Sequence, residues 1–326
     1  MFGITELTYI AMIAFLIVVI LGPIFLPMLR RFKFGQTVRD DGPQSHLQKN
    51  GTPTMGGVMM IIAILITGLT RAKVDSDLLV GLICITGFGF VGFLDDFIKI
   101  KMKRSLGPKA YQKIILQFAL AFFVSYYQYT ASPSATQVMV PFTDYVINLG
   151  PLYVPIMMFI IIGTVNAVNL TDGLDGLAGG LSLIAFLSFG IITWGSTWIE
   201  GYQEIAIFCF ILVGSILGFL IYNTYPAKVF MGDTGSLSLG ATLAAVAILT
   251  EHELSLAVIG GVFVIEALSS IIQLTAIKKF GKKVFLMTPI HHHFEKLGWV
   301  ETDIVKLFWV AGLVLAMSGI IFGVWL

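Results

Sequence analysis

Apolar residues fall in long unbroken runs, separated by short clusters of Gly, Asp, Lys and His. Ten runs stand out, near residues 7–29, 55–70, 78–94, 112–130, 151–167, 176–194, 204–222, 236–250, 255–276 and 304–325. Each is close to the roughly 17–25 residues with which a helix crosses about 30 Å of hydrocarbon. The pattern predicts an all-α polytopic membrane protein of about ten transmembrane helices, with residues 1–326 forming a single integral-membrane domain. The first run is too long for a signal peptide, lacks a preceding Lys or Arg and carries Glu6, so it reads as a retained span. Between the fourth and fifth runs, Pro133, Pro141 and alternating Val138, Val140 and Phe142 predict a small extracytoplasmic hairpin within 131–150.

Composition agrees: 57% of the 326 residues are hydrophobic and 12% charged, with mean hydropathy +0.91, against about 25% charged in soluble domains. The net charge of +1 conceals a strong bias along the chain. Of all Lys and Arg residues, only Arg71 and Lys73 fall in an even-numbered connection; the others sit in odd ones. Positive charge is retained on the cytoplasmic side, which places the odd loops in the cytoplasm and both termini outside. Asp75, Asp77, Asp144, Glu200, Glu204, Glu251 and Glu253 occupy the even loops. Cys84 and Cys209 lie deep in apolar runs and read as small buried side chains, not a disulfide. No 20–50-residue period repeats, and no inverted likeness relates the halves. No nucleic-acid partner is expected.

The residues able to do phosphate chemistry gather in the odd loops. The third run ends in Gly92-Phe93-Leu94-Asp95-Asp96-Phe97-Ile98-Lys99. Adjacent carboxylates on a helix point about 100° apart, so one can bind a divalent cation while its neighbour contacts a second group. Alone, the pair is as readily a charged interfacial cap. Between the fifth and sixth runs stands Asn169-Leu170-Thr171-Asp172-Gly173-Leu174-Asp175-Gly176, whose acids have no basic residue in their own loop and require an outside partner. A ribose or base N–H, a metal or a lysine from another loop would each serve. After the seventh run comes Asn223-Thr224-Tyr225-Pro226-Ala227-Lys228-Val229-Phe230-Met231-Gly232-Asp233. There Asp233 reads either as a helix N-cap or as a cation ligand, and Phe230 suits stacking on a nucleobase.

The last odd loop holds Pro289-Ile290-His291-His292-His293-Phe294-Glu295; only His46 and His252 are histidines elsewhere. Three successive imidazoles diverge on a helix, which makes a three-histidine metal cage poor and favours contact with phosphate or a proton-handling role for one or two. Lys49, before Gly51-Thr52-Pro53-Thr54-Met55-Gly56-Gly57, taken alone reads as positive-inside decoration. Glu266 lies in mid-run, where an ionisable group costs a few kcal/mol and must be protonated or paired. A secondary transporter is the rival of another class, but transporters concentrate polar groups at the midplane, whereas here they collect at one surface.

Together GFLDDFIK, NLTDGLDGLAGG, NTYPAKVFMGDTGS, the GTPTMGG loop and PIHHHFE resemble the polyprenyl-phosphate N-acetylhexosamine-1-phosphate transferase superfamily. The three-histidine run favours its phospho-N-acetylmuramoyl-pentapeptide transferase branch over a sister enzyme using UDP-GlcNAc. The likeness spans nearly the whole chain. It implies transfer of phospho-MurNAc-pentapeptide from UDP-MurNAc-pentapeptide to undecaprenyl phosphate with Mg2+, giving lipid I and UMP at the cytoplasmic face of a bacterial inner membrane. It assigns Asp233 as metal ligand, with Asp95 and Asp96 beside it as base or supporting groups. It places Asn169, Asp172, Asp175, Asn223 and Phe230 around the nucleoside. Lys49, Lys103 and the region of His291, His292 and His293 are placed on phosphates, His291 among the catalytic groups. A homodimer is a further implication.

Overall fold

Inside a bilayer every backbone N–H and C=O has to be satisfied within its own segment, so apolar runs of this length fold as helices. A computed structural model describes residues 3–31, 49, 51–102, 110–143, 145–195 and 202–324. The helices are α1 Ile4–Arg31, α2 Gly57–Arg71, α3 Ser76–Lys101, α4 Ala110–Ala131, α5 Tyr153–Thr171, α6 Leu177–Gly195 and α7 Tyr202–Asn223, followed by α8 Gly232–Leu249, α9 Ser255–Ile259, α10 Gly261–Phe280, α11 Ile290–Lys296 and α12 Glu301–Val324. Among the described residues, nine are long and apolar enough to cross a membrane. The predicted second span is the tenth; α2 has 15 residues, about 22 Å of helix, less than the hydrocarbon thickness. The predicted ninth span is interrupted at Gly260, which separates short α9 from α10. Gly281, at φ 62°, ends α10 in the left-handed conformation.

The hub is α8. Every residue from Thr234 to Leu249 is buried, and α3 and α5 lie along it, with α2 and α6 also in contact. Its composition explains the position: Gly, Ala, Ser and Thr let neighbouring backbones approach closely, and the hydroxyls of Ser236, Ser238 and Thr242 bond carbonyls of their own helix. The strongly apolar α1 packs on α7 and α2, with Tyr9, Leu16, Ile20 and Ile24 on its exposed side. Where α3 meets α8 the backbones approach closely. A Cβ on Gly92 would lie 2.2 Å from the carbonyl oxygen of Asp233, so only glycine admits this register.

At the other end of the bundle the expected hairpin is present. Strands β1 Gln137–Met139 and β2 Val146–Asn148 pair antiparallel, with Val138 opposite Ile147. The alternation stops short of Phe142, which adopts φ 63° in the turn and sets its ring 4.9 Å from that of Phe322. Cys84 and Cys209 are free and buried.

Candidate active site

The start of α8 brings the acidic motifs together. Asp95 and Asp96 end the apolar part of α3, and Asp233 is the second residue of α8. One oxygen from each of the three carboxylates lies within 4.8 Å of the others. Their environments differ. Asp96 is bound to the α8 backbone: its Oδ1 accepts the Asp233 N–H at 3.2 Å, and its Oδ2 accepts the N–H and hydroxyl of Thr234 at 2.9 and 2.7 Å. A carboxylate on the first free N–H groups of a helix is favoured by hydrogen bonding and by the helix dipole. Asp233 is therefore not the cap of its own helix; Asp96, from α3, fills that role. Gly232, at φ 73°, makes room for it, since a Cβ there would stand 2.6 Å from Asp96 Oδ2.

Asp233 turns instead towards cations and an amide. Its Oδ2 faces Lys99 Nζ at 3.0 Å and Lys113 Nζ at 2.8 Å, while its Oδ1 accepts the Asn169 amide at 2.9 Å. Lys99 also pairs with Asp95, one helical turn before it, and Lys113 stands 3.7 Å from the same Asp95 oxygen. Three carboxylates and two ammonium groups thus share one site at the edge of the bundle. Oxygen-only donors at this spacing suit a hard divalent cation, and the carboxylates outnumber the ammonium groups by one.

Beside this cluster, the loop after α5 is tied to three other segments. Lys49 Nζ lies 2.7 Å from Asp175 Oδ1 and 2.6 Å from Glu301 Oε1. Glu301 also accepts the Asp175 N–H at 2.7 Å, and Asp175 Oδ2 accepts the Ala227 N–H at 2.9 Å. Burial acts to lower the pKa of Lys49, but its ion pairs with Glu301 and Asp175 outweigh it and raise the value above the usual range. Asp172 is driven well above the usual carboxylate range, first by burial and then by the charges of Asp233, Asp96 and Asp175, with Lys49 opposing. Asn223, buried, accepts the Gly176 N–H at 3.2 Å and donates to the Val229 carbonyl at 3.0 Å.

The GTPTMGG segment pairs with the loop before α8. The Phe230 N–H donates to the Pro53 carbonyl at 2.8 Å, the Gly56 N–H to the Phe230 carbonyl at 2.9 Å, and the Gly57 N–H to the Met231 carbonyl at 3.0 Å. This short ladder holds the Phe230 backbone and leaves its ring half-buried. The three histidines diverge along α11, as consecutive helical positions require. His291 is fully buried with its Nδ1 3.0 Å from Glu266, His292 pairs with Glu295 at 2.6 Å, and His293 Nδ1 accepts the Leu286 N–H at 3.1 Å.

The sequence profile of glycosyl transferase family 4 matches residues 78–251, the stretch that carries all three clustered aspartates. Whole-chain relatives extend the likeness. The phospho-N-acetylmuramoyl-pentapeptide-transferase of Clostridioides difficile (strain 630) is 64% identical over 98% of this chain and 99% of its own. Those of Geobacillus sp. (strain WCH70) and Bacillus subtilis (strain 168) are 51% and 49% identical, over 96% and 97% of this chain and 97% of each of theirs. The chain belongs to this family of transferases.

For a member of that family, the expected site residues come together unevenly. Asp95, Asp96, Asp233 and Asn169 form one connected cluster. Asp172 is close enough to feel its charges, and Lys49 and Asp175, expected on different parts of a substrate, are paired with each other. Lys103 lies outside the described residues. Three residues that the structure joins to these acids and to Lys49 were missed in the sequence: Lys99, Lys113 and Glu301. The first was legible as the i+4 partner of Asp95. Lys113 and Glu301 had no local signal, because their partners are 120 and 126 residues away.

Proposed function

We propose that this protein transfers phospho-MurNAc-pentapeptide from UDP-MurNAc-pentapeptide to undecaprenyl phosphate, forming lipid I and UMP at the cytoplasmic face of a bacterial inner membrane. The observation carrying this reading is the cluster of Asp95, Asp96 and Asp233 with Lys99 and Lys113 at the start of α8, in a chain 64% identical to a transferase of that name. The bias of basic residues towards this end of the bundle supports a cytoplasmic site.

An oxygen of the lipid phosphate attacks the sugar-linked phosphorus of the diphosphate. A new P–O bond forms there, the bridging P–O bond breaks, and UMP leaves with the bond's electron pair. A phosphate monoester is largely ionised at neutral pH, so little proton has to be removed. That fits Asp96, whose oxygens are engaged with α8, and Asp95, which is ion-paired with Lys99; neither is placed as a free base. The work of the site is electrostatic, bringing two anionic reactants together in line. Asp95, Asp96 and Asp233 would hold Mg2+, which supplies charge neutralisation for the transferring phosphoryl group. Lys99 and Lys113 present ammonium groups beside it, and the loop from Asp172 to Asp175 with half-buried Phe230 offers hydroxyl acceptors and a stacking face for the nucleoside.

The test is purified protein in detergent with undecaprenyl phosphate, UDP-MurNAc-pentapeptide and Mg2+, read as UMP release together with a lipid-linked product. Turnover of UDP-GlcNAc in place of the muramoyl substrate would assign the sister activity. A covalent phospho-enzyme trapped in the absence of lipid would exclude direct attack.

A further inference from the structure

Glu266 lies within the apolar helix α10 with no exposure, and the one hydrogen-bond partner of its carboxyl group among the described residues is His291 of α11, also fully buried. The Glu266 carboxyl oxygen and Nδ1 stand 3.0 Å apart, which ties that side of the ring to α10. The opposite ring nitrogen, Nε2, has no partner among the described residues. It faces Gly173, between Asp172 and Asp175, so closely that a Cβ on Gly173 would lie 2.3 Å from it. Three segments distant in sequence therefore meet in line: a carboxylate from a membrane helix, an imidazole from the PIHHHFE motif, and the backbone of the acidic loop.

We infer that Glu266 is a positioning residue for the nucleotide side of the site: it orients His291, and the ring in turn sets the position of the Asp172–Asp175 loop. This rests on the transferase reading above. A carboxylate at this depth costs a few kcal/mol, and a buried ion pair is seldom more stabilising than well-packed apolar side chains. What the pair contributes is direction. An imidazole held at one nitrogen presents the other at a fixed angle, as a carboxylate does behind a metal-bound or catalytic histidine. Gly173 completes the arrangement, since any side chain there would push the ring off Glu266.

Full-length protein in detergent carrying Glu266→Gln, His291→Gln or both decides the matter. Calorimetric titration with UMP, and KM for each substrate, are the readouts. Glu266→Gln is expected to weaken UMP binding and raise KM for UDP-MurNAc-pentapeptide about tenfold, leaving KM for undecaprenyl phosphate unchanged. The double variant should be no worse than His291→Gln alone, because Glu266 acts through the ring. Nitrogen NMR of 15N-histidine-labelled protein should show the His291 Nδ1 resonance move in Glu266→Gln. Wild-type UMP binding in Glu266→Gln, losses that multiply in the double variant, or an unmoved resonance would each overturn the inference. Should Glu266→Gln fail to fold, Gly173→Ala presses on the same ring from its other side. The same selective loss of UMP affinity is expected there, and unchanged affinity would overturn the proposal equally. If the wild type binds UMP but forms no lipid-linked product, the transferase reading fails while the UMP titrations still judge the Glu266–His291 pair.

Discussion

Asp96 and Asp233 belong to one carboxylate cluster, yet their replacement by asparagine should have different consequences. Asp96 accepts three hydrogen bonds from the first turn of α8. In Asp96→Asn the amide oxygen can take over the Oδ2 position and keep both bonds from Thr234. The amide NH2 then faces the Asp233 N–H, donor against donor. Loss of one charge-assisted bond costs about 1.5–3 kcal/mol, and loss of negative charge at a helix start adds about 0.3–1 kcal/mol. The expected destabilisation is about 2–4 kcal/mol, or roughly 3–6 °C in melting temperature on the scale of proteins of this size. Asp233→Asn keeps the Asn169 contact available at Oδ1 and leaves Lys99 and Lys113 with Asp95. Both ammonium groups are partly exposed and can turn to Asp95 or to water, so its destabilisation should be smaller than that of Asp96→Asn, while turnover falls about a hundredfold and any Mg2+ dependence shifts to higher concentration. Thermal unfolding in detergent and UMP release, measured on both variants, separate the two roles. Equal melting temperatures for Asp96→Asn and Asp233→Asn would refute the assignment of Asp96 as the cap of α8.

Three other expectations follow from particular contacts. Burial pushes the Glu253 carboxyl up to about 8; its own backbone N–H and the Tyr153 hydroxyl oppose the shift, and Glu251 adds to it. The folded state thus holds the protonated acid, and its contribution, complete below the ordinary value of 4.5, is lost as pH rises towards about 8, at up to about 1.4 kcal/mol per pH unit. The melting temperature of the wild type should therefore fall between pH 6 and 9 more steeply than that of Glu253→Gln; parallel curves would contradict this. Glu301→Gln removes one of the two carboxylates on Lys49 and weakens the acceptor for the Asp175 N–H, a loss of about 1–2 kcal/mol that should appear as a fivefold to thirtyfold rise in KM for the nucleotide substrate. Gly92→Ala drives a methyl group against the Asp233 carbonyl, so α3 has to move from α8; about 1–3 kcal/mol of destabilisation with near-complete loss of UMP release is expected, and retained turnover would argue against the tight α3–α8 register.

Much of this was legible in the sequence because bilayer physics leaves few alternatives. Run length gave the spanning helices, and only the short α2 and the break at Gly260 depart from it. Both departures depend on packing, which hydropathy does not encode. The acidic motifs could be singled out as chemistry, and their grouping into one cluster agrees with their collection in odd loops. The division of labour within the cluster was not legible. Nothing local to Asp233-Thr234 says that a carboxylate from α3 will cap α8, and nothing near Lys49 says that Glu301 will hold it. The partner of Glu266 was similarly hidden: mid-span burial demanded one, but only the fold selected His291.

The start of α8 fits the proposed mechanism, in which charge matters more than acid–base chemistry. Asp96 accepts from the first turn of α8, which fixes the backbone that carries Asp233. Asp95 and Asp233 are then neutralised mainly by Lys99 and Lys113, whose chains reach the same carboxylate oxygens from α3 and α4. Two phosphorylated reactants could not approach three bare carboxylates, because like charges a few ångströms apart in a medium of low dielectric repel by several kcal/mol. With the lysines present, the three carboxylates are largely offset, and a divalent cation bound there would make the pocket positive. On the proposed reading, charge balance of this kind would favour entry of the diphosphate and stabilise the charge that builds on the departing UMP, without a proton changing hands. Removing one ammonium group, as in Lys113→Met, should therefore slow turnover at every pH instead of shifting its pH optimum; a displaced optimum with an unchanged maximum would indicate acid–base catalysis at this cluster.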